Sequence, residues 1–191
     1  MPSHFTVLYD ASVFYPAPLR DLLMELATAG LFRAKWSKRI QEEWIESLLR
    51  KRPDLNRERL ERTKELTNRS VPDCLIEGYE PLIEGLKLPD LNDRHVLAVA
   101  IHCNAQVIVT YNLKDFPKES LQLFEVEAQH PDVFLRHIID LAPPRFLEAV
   151  KEIRGRLNNP PVSAQAYLDR LLNQHELPLT FAFLKQYVSL I

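Results

Sequence analysis

Phe5-Thr6-Val7-Leu8-Tyr9-Asp10 is the stretch on which the fold turns. Five residues without charge end abruptly on a carboxylate, which is the signature of a short strand buried on both faces whose carboxyl end opens onto a functional edge. Ala105-Gln106-Val107-Ile108-Val109-Thr110-Tyr111 repeats that character a hundred residues on and predicts a second strand. A weaker run over 121–126 (Leu-Gln-Leu-Phe-Glu-Val) predicts a third, and a short stretch at Ala34 to Trp36 another. Between them, apolar residues recur at helical spacing over about 18–29, 38–51, 56–69 and 93–103. Strands alternating with helices argue for an α/β sandwich around a mostly parallel central sheet, occupying residues 1–130. From Pro131 onward the pairs Pro143-Pro144 and Pro160-Pro161 cut the chain into short helical pieces, so 131–191 reads as an all-helical C-terminal extension. Its apolar stripes, such as Phe134, Ile138 and Ile139 or Phe181, Leu184 and Val188, read as core.

Composition excludes several classes. Of 191 residues, 46% are hydrophobic and 26% charged, and no apolar run approaches the roughly 20 residues of a membrane span. Met1-Pro2-Ser3-His4-Phe5 has no basic region ahead of an apolar one, so a cytoplasmic location is expected. Only 4 glycines are present and none forms a phosphate-cradling loop, which argues against nucleotide-driven chemistry. The 2 cysteines, Cys74 and Cys103, have no ligand spacing and read as reduced thiols without a metal. His95 and His102 read as packed or surface histidines.

The net charge of -2 hides an asymmetry: residues 31–70 hold 12 Lys and Arg against 7 Asp and Glu, leaving 12 against 19 elsewhere. One reading is a pair of solvated helices with ion pairs such as Glu58 to Arg62 and Glu61 to Lys64. The other is a basic rim that holds a phosphate backbone beside an acidic centre.

In an open parallel sheet, ligands collect beyond the carboxyl ends of the strands. Asp10 sits at one such end, and Tyr111-Asn112-Leu113-Lys114-Asp115 follows another. Leu88-Pro89-Asp90-Leu91-Asn92-Asp93 predicts a helix start capped by Asn92 with Asp93 in its first turn. Glu42 and Glu43 lie in the helix opened by Ser37. Each acid alone has an ordinary structural use. Converging carboxylates, however, repel one another and raise each other's pKa unless a cation joins them, and an oxygen-only donor set suits Mg²⁺ or Mn²⁺.

Taken in order, Val7-Leu8-Tyr9-Asp10-Ala11-Ser12, Ser37 with Glu43 six residues on, Asp93-Arg94-His95-Val96-Leu97-Ala98, and Val109-Thr110-Tyr111-Asn112-Leu113-Lys114-Asp115-Phe116 resemble the PIN-domain ribonucleases, in particular VapC-type toxins of type II toxin-antitoxin systems. The resemblance covers residues 5 to about 127. It implies a PIN-like α/β/α sandwich and an Mg²⁺-dependent endoribonuclease, with Mn²⁺ as the alternative ion. It further implies that Asp10, Glu43, Asp93 and Asp115 form the catalytic, metal-binding cluster, with Asp90 as an optional fifth member. Glu42 competes with Glu43, since the two flank the Ile40, Trp44, Leu48 stripe; the offset from Ser37 selects Glu43. Ser12, Thr110 and Asn112 fill the supporting positions, and Lys38, Arg39, Arg50 and Arg52 are the candidate RNA contacts. An RNA substrate and a cognate antitoxin are the implied partners, and a homodimer is compatible with the resemblance. The competing readings are a catalytically silent PIN-like module that binds RNA or protein, and a phosphatase using Asp10 as nucleophile; the latter class wants an acid where this chain has Ser12. No zinc-protease helix motif and no serine-nucleophile elbow is present.

Overall fold

The computed structural model describes residues 5–191; Met1 to His4, on which the reading of the chain start rests, lie outside them. Strand β1 (Thr6–Tyr9) runs through the centre, its four residues all buried, which means both faces of the sheet are covered. Asp10 then ends the strand and starts the four-residue helix α1 (Ala11–Phe14), its carboxylate accepting from the Ala11 and Ser12 N–H groups. Helix α2 (Ala17–Thr28) buries Leu19, Leu22, Leu23 and Leu26, and leads to β2 (Arg33–Lys35). Ser37 caps α3 (Lys38–Lys51) by accepting from the Ile40 N–H, and Asn56 caps α4 (Arg57–Ser70) through Glu58 N–H. A 3-10 turn over Glu80–Gly85 precedes helix α5 (Arg94–His102), whose Val96 to Ala100 are fully buried.

Strand β3 (Val107–Val109) pairs with β1, and β4 (Glu127–Gln129) with β3, giving a four-stranded sheet in the order β2-β1-β3-β4. Every pairing is parallel. The expectation of a strand over 121–126 is corrected here: helix α6 (Lys118–Leu121) runs into a 3-10 turn over Gln122–Phe124, and Glu125 takes a left-handed conformation at φ 56°. Leu121 and Val126 are buried, but Leu123 between them is 80% exposed, so the apolar run belongs to a turn that dips into the core twice. The strand itself begins at Glu127, where Gln106 C=O accepts the Glu127 N–H.

Helices α7 (Pro131–Leu141), α8 (Pro143–Arg156), α9 (Ala164–His175) and α10 (Pro178–Leu184) follow. They share one core with the sheet: Phe134 of α7 meets Phe32 edge-on at 5.1 Å, and α8 and α9 pack on α2. Of the stripes named above, Val188 is 37% exposed and the Phe181 side chain is only partly covered; the others are buried. Beneath the carboxyl edge of the sheet, Tyr9 stacks on Trp36 (5.8 Å, 13°), and Phe14 meets Trp36 edge-on at 5.4 Å. These rings form a rigid floor under Asp10. Among the described residues no helix is long and apolar enough to cross a membrane.

Candidate functional site

The register of the two central strands builds the site. Tyr9 lies opposite Val109, so the next residues, Asp10 and Thr110, emerge side by side at the carboxyl edge. Thr110 Oγ1 donates to Asp10 Oδ2 at 2.8 Å and Ser12 Oγ donates to the same oxygen at 2.6 Å, while Ala11 N–H donates to Oδ1 at 2.7 Å. Asp10 is 5% exposed, and its carboxylate is held in one orientation by these donors. Ser12 Oγ in turn accepts from Tyr111 N–H at 3.1 Å, and Thr110 Oγ1 accepts from Asn112 N–H at 2.9 Å. Ser12 and Thr110 thus both hydrogen-bond to the Asp10 carboxylate, whereas Asn112 is exposed at the rim.

A cleft of about 440 Å³ opens over this edge, and Asp10, Glu43 and Asp93 all line it, together with Ser12 and Asn112. Asp93 closes a 3-10 turn over Leu91–Asp93 at the mouth of α5. The turn is capped differently from the expectation. It is the Asp90 carboxylate that accepts from Asn92 N–H (2.8 Å), because a 3-10 turn over Leu91–Asp93 precedes the helix and places the cap two residues before Asn92. Asp90 is exposed and Asp115 half-buried, and neither lines the cleft, yet both act on it electrostatically. Burial first, and then the negative charges of Asp10, Asp90, Asp115 and Glu43, push the Asp93 carboxyl up to about 7.

The two adjacent glutamates diverge. Glu42 turns to α4, where Lys64 (2.6 Å) and Arg57 (3.3 Å) reach it. Glu43 turns to the cleft, where Arg39 Nε lies 3.1 Å and His95 Nε2 2.9 Å from its Oε1. The His95 approach is close without being aligned as a hydrogen bond, and the ring is 1% exposed. His95 is therefore a packed histidine, and His102 lies at the surface. Cys74 and Cys103 are free thiols, both raised to about 11 by burial first.

The basic candidates separate as well. Arg50 lines the cleft. Arg39 is paired to Glu43, Lys38 to Glu77 at 2.5 Å, and Arg52 makes a two-pronged contact with Asp54 (2.8 and 2.7 Å); all three lie outside the cleft lining. On α4, Glu61 pairs with Lys64 as expected, and Arg57 faces Glu42, Glu46 (2.6 Å) and Glu61. Sequence reasoning missed Ser47, Lys51, Tyr15 and Tyr111, all of which line the cleft. The signal was present on α3, since Glu43, Ser47, Arg50 and Lys51 follow the i, i+4, i+7, i+8 row of one helix face. Lys51 Nζ lies 4.7 Å from the centre of the Tyr15 ring, a cation–π contact that holds it at the wall.

The cleft therefore has an acidic end on β1 and α5, a basic end on the last turn of α3, and two half-exposed tyrosines between. Among the described residues no three His, Cys, Asp or Glu side chains stand close enough to clasp an ion as placed. The donors nonetheless fit a hard divalent cation: they are all carboxylate oxygens, and the Asp93 carboxyl, raised by burial first and then by its acidic neighbours, is one whose ionised form such an ion would favour.

An all-parallel sheet carrying gathered carboxylates at its carboxyl edge defines an acid-centred α/β domain with a helical continuation. Residues 6–114 match the PIN domain, and the chain belongs to that family. Residues 131–186 match the VapC50 C-terminal domain. Over 101 residues the chain is 41% identical to the "Putative ribonuclease VapC50" of Mycobacterium tuberculosis (strain ATCC 25618 / H37Rv), an alignment covering 51% of this chain and 57% of that protein. The match thus spans little more than half of that relative. No solved structure matches the chain significantly.

Proposed function

We propose that the protein is a metal-dependent endoribonuclease, the toxin of a toxin-antitoxin pair, which hydrolyses RNA phosphodiester bonds by activated water. One observation carries the reading: Asp10, Glu43 and Asp93 face the same cleft that exposes Arg50, Lys51 and two tyrosines. A polyanion with aromatic bases is the ligand that uses both ends. The similarity to a protein named as a ribonuclease supports it.

Asp10, Glu43, Asp93 and Asp115 would hold Mg²⁺ or Mn²⁺, with Asp90 at the edge of the set. Such an ion supplies a water of lowered pKa and charge stabilisation at the reacting phosphate. The residues of the chain supply the rest. Thr110 and Ser12 fix the orientation of the Asp10 carboxylate before any ligand arrives by donating to Oδ2. Arg39 neutralises Glu43 and is the cation displaced when Glu43 turns to another positive charge. Arg50 and Lys51 attract the backbone phosphates, and Ser47 offers a hydroxyl between them and Glu43. Because water is the nucleophile, no 2'-hydroxyl is needed; with the P–O3' bond breaking and the 3'-oxygen leaving as a hydroxyl, the products carry 5'-phosphates and 3'-hydroxyls. A cognate antitoxin would act by covering this cleft.

The spacing of the carboxylates and the Arg39–Glu43 pair favour one second reading, a module that binds RNA at the basic end without cleaving it. Incubation of total RNA with the full chain in Mg²⁺, in EDTA, and as Asp10→Asn separates the two. Discrete Mg²⁺-requiring fragments with 5'-phosphates, absent in Asp10→Asn, are expected. RNA retained on the protein but uncut under all three conditions establishes the binding module instead.

A further inference from the structure

Tyr111 joins two parts of the molecule that lie far apart in the chain. Toward the cleft, its N–H donates to Ser12 Oγ, which donates to Asp10. Away from it, its phenol donates at 2.8 Å to the backbone carbonyl of His175, the last residue of α9. Its ring meets His130 edge-on at 5.0 Å. His130 Nδ1 accepts from Asp132 N–H at 3.2 Å and so opens α7. Asp132, 3% exposed, accepts from Leu179 N–H (2.7 Å), Thr180 N–H (2.8 Å) and Thr180 Oγ1 (2.8 Å), which ties the first turn of α10 to α7. Between α9 and α10, Glu176 turns the chain through a left-handed conformation (φ 53°), and Leu177 N–H returns to Leu171 C=O. The His175 carbonyl therefore sits on a turn fixed from both sides.

The loop after Tyr111 needs such an anchor. Asn112, Leu113 and Lys114 are exposed, and the turn over Leu113–Asp115 is held by Asp115 N–H to Asn112 C=O and Phe116 N–H to Leu113 C=O. Phe116, 3% exposed, secures its far end. At the near end the tie to the rest of the fold runs through Thr110 and Tyr111. Burial raises the Tyr111 phenol above its ordinary value, and the nearby charges of Glu176 and Asp132 act in the same sense, so the hydroxyl remains a donor at any working pH.

We propose that the C-terminal helices are a latch for the loop of the PIN domain that carries Asn112 and Asp115: α9 and α10 hold Tyr111 by its hydroxyl, and Tyr111 sets where that loop stands over Asp10. Tyr111 is a positioning residue, acting through Ser12 and the loop backbone. The consequence for catalysis rests on the nuclease reading above; the latch itself does not. Displacements of about 1 Å at a reacting centre cost on the order of 100-fold in rate, so a helical extension that does no chemistry can still govern it.

Tyr111→Phe in the full chain removes only the hydroxyl. Hydrogen exchange of the Tyr111, Asn112, Asp115 and Phe116 amides is expected to speed by about fivefold to tenfold, the worth of one net hydrogen bond, with β1 and α5 unchanged. Tyr187→Phe, which removes a hydroxyl from the same helical segment outside the cleft, should leave those amides as they are. On RNA, kcat should fall about tenfold with KM within about twofold. Unchanged exchange in the loop overturns the latch, as does a uniform rise across the whole chain, which marks a purely structural hydroxyl. A raised KM with unchanged kcat and unchanged exchange overturns it too, because the hydroxyl then touches RNA directly. If the wild type cuts no RNA, the nuclease reading fails and the exchange result alone decides the latch.

Discussion

Replacing Asp93 with Asn should make the metal-free protein more stable, although it removes one of the proposed metal ligands. The Asp93 carboxyl stands at about 7, raised by burial and then by Asp10, Asp90, Asp115 and Glu43. Unfolded, an aspartate titrates near 4, so the folded chain holds this proton more tightly than the unfolded one. The sign follows: the stabilisation is fully present below about pH 4 and is lost as pH rises through about 7, where the ionised carboxylate opposes folding. A rise of about three pH units sets a ceiling of about 4 kcal/mol, and the open cleft screens this to about 2 kcal/mol. Asparagine has no charge to repel. In EDTA, Asp93→Asn is therefore expected to exceed wild type in urea-unfolding free energy by about 2 kcal/mol at pH 8 and by about 1 kcal/mol at pH 5. Millimolar Mg²⁺ should reverse the order at pH 8, since only the intact donor set gains binding energy from it. A variant no more stable than wild type at pH 8 in EDTA, or one whose advantage is equal at both pH values, refutes the electrostatic account.

The two neighbouring glutamates should behave oppositely: Glu43→Gln abolishes RNA cleavage with little change in unfolding midpoint, whereas Glu42→Gln keeps cleavage and costs about 0.5–1 kcal/mol as its exposed contacts to Lys64 and Arg57 weaken. Parallel activity and urea titrations read both, and equal activities would show that the divergence of the pair has no bearing on catalysis. Asp132→Ala strips three hydrogen bonds from a buried carboxylate at the start of α10, an expected loss of about 2–4 kcal/mol, or roughly 5–15 °C in Tm by calorimetry. A shift under about 1 °C would mean that the α7–α10 tie carries no stability.

What could be read from the residues, and what could not, divides along physical lines. Asp10 was legible because an acid ending a buried strand has few harmless places to go, and the parallel register then puts Thr110 beside it without further information. The strand after α6 was misplaced because burial, not pairing, is what apolar letters encode: Leu121 and Val126 sink into the core from a turn, while β4, with Glu127 and Gln129, carries polar letters at an edge. Ser47 and Lys51 lie one and two turns past Glu43 on the same face of α3, so the helical period alone places them beside it. The choice between Glu42 and Glu43 was not settled by period, since both flank the buried stripe; in three dimensions Lys64 and Arg57 on α4 draw Glu42 away, while Glu43 lines the cleft. The Tyr111 bond to His175 has no pattern at all, because its acceptor is a backbone carbonyl, which every residue owns, placed by a turn 64 positions away. Local chemistry was thus visible wherever a side chain's own character constrains it. The tie between the helical extension and the site depends on which carbonyl a tyrosine meets, and for that reason the role proposed for the last sixty residues could be drawn only from the folded chain.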